Sequence, residues 1–360
     1  MPVEITKRDY SLIGRDAKLA EERGLASGEW YASPISRQRL KELMRRRDGP
    51  AIRDTLLWFA ALLITGVVAY HAWGTWWAVP AFLAYGAVYC SASDSRWHEC
   101  GHGTAFKTRW MNDVIYEMAS FMVLRESVPW RWSHVRHHTD TIIVGRDPEI
   151  VATRPPDLLG IALGIFNLKG GLREWRKMLL HCSGRLTAEE KTYIPDTEHK
   201  KVCRIARVYV LIYAVVIGWA IAGRSLLPLM FIGLPSFFGA WHMLLVGLTQ
   251  HAGLAEDVLD HRLNCRTVYM NPVSRFLYWN MNYHLEHHMF PMVPYHNLPA
   301  LHEIMKADTP PAYAGLWQAY REIIPALWRQ SKDPAYFVKR QLPVHARPFV
   351  ADTNPAALAT

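Results

Sequence analysis

The sequence predicts an all-α integral membrane protein: two transmembrane helical hairpins, four spans in all, under a cytoplasmic helical cap that holds a His-rich dimetal site. Three observations predict it. Four apolar stretches of membrane-crossing length fall in two close pairs. Lys and Arg lie almost wholly outside those pairs. Eight of the 17 histidines stand in three tight groups close to the apolar pairs.

Composition alone is indecisive. Half of the 360 residues are apolar, yet the mean hydropathy is −0.05, so membrane character must come from segregation along the chain. Residues 1–53 are a polar segment with 12 Lys/Arg, including Arg45, Arg46 and Arg47. The first span covers about 54–72, where residues 55–72 (TLLWFAALLITGVVAYHA) carry no formal charge. Trp73, Trp76 and Trp77 follow, in a turn suited to a membrane–water interface. The second span is about 77–93. Spans three and four are 205–223 and 225–250, interrupted only by Arg207 and Arg224 near their ends. Each is close to the ~20 residues that cross a hydrocarbon core. A pair of buried helices in a soluble protein is the plain alternative, but two closely paired stretches nearly free of charge argue against it. The domain plan is 1–53 as a cytoplasmic N-terminal segment, 54–305 as the membrane catalytic domain and 306–360 as a cytoplasmic C-terminal segment.

Charge sets the orientation. Residues 54–95 hold no Lys or Arg, whereas residues 139–204 hold 11 and residues 252–360 hold 10. The positive-inside rule puts both hairpin tips outside and the rest in the cytoplasm. The net charge of +9 is then what topology demands, so no nucleic-acid partner is expected. Apolar stretches near 111–124 and 157–168 are interrupted or short, and read as helices lying on the cytoplasmic face. Five cysteines, an odd number without a C-x-x-C, indicate neither a disulfide framework nor a zinc ribbon nor an iron–sulfur cluster. No cleavable signal peptide is visible, and the Pro/Ala-rich tail from about 343 is expected to be poorly ordered.

The histidine groups are His98-x-x-x-His102, His134-x-x-His137-His138 and His284-x-x-His287-His288. Positions i, i+3 and i+4 share a helix face, so each group is expected to aim its imidazoles at one point. One such group is a modest coincidence in a chain with this many histidines; three are not. All three meet at the same membrane face, although the topology was read without them. His251 ends the fourth span at matching depth and is a ninth ligand candidate; His242, deeper in that span, suits a supporting or substrate-pocket role. His71, His181, His199, His261, His296, His302 and His345 lack partners at ligand spacing, and most are expected to be ordinary surface residues. Glu99, Asp140, Asp147 and Glu286 are the nearest carboxylates that can orient the rings. Eight or nine imidazoles exceed one metal's needs and fit two ions with four or five nitrogens each. Imidazole serves Zn, Cu, Fe and Ni alike, so ligand type leaves the metal open.

At these residues the sequence resembles the membrane fatty acid desaturase/hydroxylase superfamily, marked by three histidine boxes flanking two hairpins. The matching stretches are HECGH (98–102), HVRHH (134–138) and NYHLEHHMFP (282–291), within a resemblance spanning roughly 54–305. It implies two Fe ions bound by His98, His102, His134, His137, His138, His284, His287 and His288. A further ligand near the end of the fourth span is similar to His251. It also implies O2 as co-substrate, an apolar substrate entering from the bilayer, and electrons from a separate ferredoxin with its reductase. No fused cytochrome b5 or rubredoxin is visible. The implied activity is oxidation of an unactivated C–H bond, as a fatty acid desaturase or hydroxylase at a bacterial inner membrane with the site on the cytoplasmic face. The stretch NYHLEHHMFPMVPYHNLPALHEIMK also looks like the rhizopine-oxygenase branch, which implies demethylation of a small methylated substrate with a Rieske-type ferredoxin. The first box and the full His in the third fit the acyl-lipid desaturase type. A membrane metal transporter would need ionisable residues lining a path across the spans, and these hold almost none apart from His242.

Overall fold

The computed structural model describes residues 8–348, and these form helices joined by loops, with isolated bridges but no β-strand. The part of the tail beyond 348, where disorder is expected, lies outside the described residues.

Helix α1 (Asp48–Ala72) runs for 25 residues. Its start is tied down by Asp48, whose carboxylate accepts from the Thr108 amide and hydroxyl, both at 2.8 Å. One narrow stripe, with Trp58, Gly66 and Ala69, faces the protein. The rest is bare: Leu63 is 69% exposed and Trp76 in the following turn 90%. The other long helix, named α7 below, is dressed the same way. Only 22% and 28% of the most apolar windows of these two helices are buried inside the protein, and both are long and apolar enough to cross a membrane. A core helix of a soluble protein would be mostly covered.

The return from α1 is a bent rod. It comprises α2 (Ala78–Gly86), a π-helical turn (Ala87–Ser91) and α3 (Ala92–Gly101), which carries the first box. A π turn withdraws backbone groups from the regular ladder, and the Trp58 indole N–H donates to the Val88 carbonyl at 3.0 Å. Short connections lead to α4 (Arg109–Met122) and α5 (Ser127–Thr139), the second box. The 111–124 stretch is thus helical, with Trp110 and Val114 exposed. A short helix (Leu158–Leu163), within the 157–168 stretch expected to be helical, precedes α6 (Leu168–Cys182) and α7 (His199–Ala222).

The stretch 225–250, expected as one span, is three pieces: Leu227–Phe231, Pro235–Phe238 and α8 (Ala240–His251). Gly233 sits at φ +99°, a conformation that ends a helix and favours glycine, and Pro235 begins the next turn. Carbonyls on both sides of this contact are satisfied by side chains, Phe231 by the Tyr85 hydroxyl at 3.1 Å and Leu83 by the Trp241 indole at 3.2 Å. Here α2 and the broken segment touch backbone to backbone, since a Cβ on Gly239 would lie 2.1 Å from the Gly86 oxygen. The chain then forms α9 (His284–Met289), α10 (Leu298–Met305) and α11 (Leu316–Gln330). Every residue of α9, the third box, is buried.

Candidate metal centre

Nine imidazoles converge in two adjoining clusters. His98, His102, His134, His138 and His287 form one; His137, His251, His284 and His288 form the other. Within each, one ring nitrogen per residue lies within 4.8 Å of all the others. The rings meet through Nε2: His102 to His134 at 3.1 Å, His138 to His134 at 3.2 Å, and His287 to His138 at 3.2 Å. In the second cluster His284 approaches His251 at 3.0 Å and His288 at 2.9 Å. The clusters touch where the His138 and His288 rings stack, 4.4 Å apart.

Helix geometry explains the division. Neighbouring residues on an α-helix point roughly 100° apart, while i and i+4 nearly align. His134 and His138 therefore share a cluster, and His137 turns away to the other. His284 and His288 stay together, and His287 crosses back. This corrects the expectation that each box aims at one point: boxes two and three each serve both clusters. Only the His98/His102 pair is confined to one.

The outward nitrogens are held from behind. His134 Nδ1 meets Glu149 at 3.1 Å, and His137 Nδ1 meets Asp147 at 2.8 Å. His251 Nδ1 meets the Asn264 carbonyl at 2.7 Å, and His288 Nδ1 meets the Thr141 hydroxyl at 3.2 Å. Of the carboxylates expected to orient rings, only Asp147 reaches one of the nine. Asp140 pairs instead with Arg136 and Arg146. Glu99 accepts from Thr104 and the Tyr295 amide. Glu286 takes the Thr267 hydroxyl at 2.6 Å and bonds His302, pinning α9 from the side away from the cage. Glu149 was missed, because nothing in the sequence marks a carboxylate 15 residues beyond His134.

Three histidines expected at the surface are buried: His181, His261 and His302. His181 bridges Glu126 at 2.6 Å and Glu190 at 3.0 Å, fixing the start of α5. A histidine without a ligand-spaced neighbour in sequence still meets buried carboxylates or rings through the fold. His242 makes no contact with the nine; its ring lies between the Ser91 hydroxyl at 2.6 Å and the Ser274 hydroxyl at 3.3 Å.

Electrostatics favour neutral ligands. Burial, reinforced by neighbouring imidazoles, holds His98, His102, His138, His251, His284, His287 and His288 well below the ordinary histidine pKa. Burial also pulls on His137, but the Asp147 carboxylate outweighs it and raises that ring. Glu149, though buried, is pushed down to about 2 by His134 and its neighbours. The donor set fits a metal pair. Both nitrogens of His98 are buried without a hydrogen-bond partner, and the Nε2 lone pairs crowd together. Unpaired buried polar atoms are costly, and a cation at their centre removes that cost.

Fold and cage together define a helical protein built around a histidine-lined site with room for two metal ions. The family model described as fatty acid desaturase matches residues 74–320, well over half of the chain. The chain belongs to the fatty acid desaturase family, whose members are membrane-bound diiron oxidoreductases. Among curated relatives it is similar to an acyl-lipid (9+3)-(E)-desaturase of Dimorphotheca sinuata, 21% identical over 75% of this chain and 82% of that protein. A Delta(12) acyl-lipid conjugase (11E,13E-forming) of Impatiens balsamina is 25% identical over 69% and 72%. The match to the Delta(12) fatty acid desaturase FAD2 of Calendula officinalis reaches 29% identity but spans a third of this chain and 26% of that relative.

Proposed function

We propose that this chain is an O2-dependent diiron oxidoreductase that oxidises an unactivated C–H bond of a fatty acyl lipid, by desaturation or hydroxylation. The observation that carries the reading is the convergence of nine ring nitrogens into two clusters sharing one wall. In this reading His98, His102, His134, His138 and His287 hold one iron, and His137, His251, His284 and His288 the other. When bound, the iron pair supplies O2 activation and hydrogen abstraction.

The remaining work falls to the protein. Glu149 and Asp147 fix the tautomers of His134 and His137, each accepting the proton on Nδ1 so that Nε2 is free to ligate. The buried α9 excludes water from one side of the cage. The catalytic domain is 54–305, with spans at about 54–72, 77–93 and 205–223 and a fourth, broken into three helical pieces, at 225–250. The cage faces the cytoplasm of a bacterial inner membrane, and the substrate enters from the bilayer. The bare flanks of α1 and α7 support the membrane setting, and the Lys/Arg distribution supports the cytoplasmic side. Reducing electrons come from a separate ferredoxin.

A second reading is supported by a specific feature. Asp94 lies one turn before His98 on α3 and pairs with Arg125, while Gln250, next to His251, donates to the Tyr278 hydroxyl. Polar groups so near the cage suit a small methylated substrate, demethylated by a rhizopine-oxygenase-like hydroxylation, better than a wholly apolar acyl tunnel.

Metal analysis of the purified protein, with mass spectrometry of lipids and small metabolites from cells with and without it, tests both. Two irons per chain and altered acyl chains are expected. A demethylated small metabolite with unchanged lipids would favour the second reading, and the absence of bound metal would overturn both.

A further inference from the structure

Helix α11 is gripped along one face and bare along the next. Ala319, Ile323, Ala326 and Leu327 lie on its buried face. Ala326 packs beside Gly253, where an added Cβ would lie 3.0 Å from its own, and Gly253 follows closely on His251. The Glu322 carboxylate pairs with Arg266 at 3.0 Å. The Tyr320 hydroxyl donates to the Leu245 carbonyl at 2.6 Å, within the last piece of the fourth span. On α8, Leu245 lies about 9 Å from His251 toward the bilayer, by helical rise. The next edge of α11 is apolar and uncovered: Trp317 is 79% exposed, Ile324 62% and Trp328 59%. At roughly 100° per residue these positions fall within about 40° of one another. Tyr320 borders the edge on one side, and the exposed Arg321, Gln318 and Arg329 border it on the other. The phase holds past Pro325, since Leu327 and Gln330 stay buried. The bare edge therefore turns the way Tyr320 reaches, toward the fourth span, and the cations turn away from it.

We propose that α11 is seated in the surface of the bilayer, with its Trp317–Ile324–Trp328 edge among the acyl chains and Arg321, Arg329 and Lys332 at the headgroup phosphates. Exposed apolar residues scattered singly are ordinary. An aligned Trp–Ile–Trp edge bordered by cations, on a helix bonded to a membrane span, has the amphipathic form of a helix lying in the interface. Lys332 fits the same layer, its ammonium 5.0 Å over the Trp328 ring. A second copy of the chain is a poorer occupant, because a twofold contact along this edge would bring the flanking cations of both copies together. The inference rests on the membrane placement of the spans and not on the metal. It replaces the expectation of a wholly cytoplasmic segment over 306–360 with a partly lipid-covered one. Since the buried face of α11 braces the chain next to His251, the seat ties the height of the cage to the lipid surface.

The test is nitroxide accessibility in the full-length protein, reconstituted in nanodiscs of phosphatidylethanolamine and phosphatidylglycerol. Single labels are placed through Trp317→Cys, Ile324→Cys and Trp328→Cys in a cysteine-depleted background, with Gln318→Cys and Arg329→Cys on the opposite edge and Leu63→Cys on α1 as references. A melting temperature equal to that of the unlabelled background shows that each labelled protein is folded. The ratio of collision with oxygen to collision with a water-soluble nickel chelate is expected to be several-fold higher at 317, 324 and 328 than at 318 and 329, approaching that at 63. Equal ratios on the two edges would place α11 in water and overturn the seat. Labels at 317, 324 and 328 that neither reagent reaches would mean that protein covers the edge, which overturns it equally. If the label at 63 favours the nickel chelate as well, the membrane placement of the spans falls with the seat; if 63 alone favours oxygen, only the seat is lost.

Discussion

Asp147 and Glu149 are the residues on which the cage's orientation turns. Each removes a choice of tautomer from a ring that must present Nε2 inward. Loss of such a partner typically costs 10–100-fold in metal affinity or activity, roughly. Glu149→Gln is therefore expected to weaken iron retention against a chelator by that order while the fold survives. Retention equal to the parent would show that His134 is oriented by something else. The pH dependence follows from the same neighbourhood. Imidazoles of the unfolded chain take up protons below about pH 6.5, while seven of the nine in the cage are held well below that value by burial and by each other, with His137, raised by Asp147, opposing them. The unfolded state then binds more protons than the folded state, so stability and metal retention are full above about pH 6.5 and fall as pH drops through it. Iron release followed against pH checks this; retention that rises on acidification would contradict it.

At the scale of elements, the broken segment before α8 and the π turn between α2 and α3 together place His251 opposite the first box. Their contact depends on two glycines meeting without side chains. Gly239→Ala would set a methyl 2.1 Å from the Gly86 oxygen, and forcing the two apart costs about 1–3 kcal/mol by the usual measure of overpacking. A lowered melting temperature with partial loss of iron is expected. An unchanged melting temperature would mean that the close approach is not required. Helix α9 is only six residues long and rests on Glu286, which ties it to Thr267 and His302. Glu286→Ala leaves two buried partners unmatched, at about 1–3 kcal/mol each. Its effect should appear as loss of both clusters at once, since α9 feeds both. These dependencies were not legible in the sequence. Gly86 and Gly239 are far apart along the chain, and Glu286, open in the sequence between a ring-orienting group and a solvated charge, anchors the helix from outside.

For the whole molecule, the decisive question is how the bare apolar helices are covered. Their flanks, from Leu56 to Val68 on α1 and from Val208 to Ile221 on α7, would be an aggregation liability in water and suit a hydrocarbon surround. In a cysteine-depleted background, Trp76→Cys is expected to react with a membrane-impermeant maleimide in intact cells, and Ser183→Cys only after lysis. Labelling of both, or of Ser183→Cys alone, would reverse or abolish the proposed orientation. By itself, the sequence determined the family, the helical class, the two long apolar helices and the eight histidines of the three boxes. Each of these rests on local spacing: run length for the helices, and i, i+3, i+4 periodicity for the boxes. Only the tertiary structure decided which histidine joins which cluster, that Glu149 rather than Glu99 stands behind a ring, and that His261 packs beside His288. Those outcomes depend on how distant segments are rotated against one another about a shared centre, and a one-dimensional pattern carries no information about that rotation.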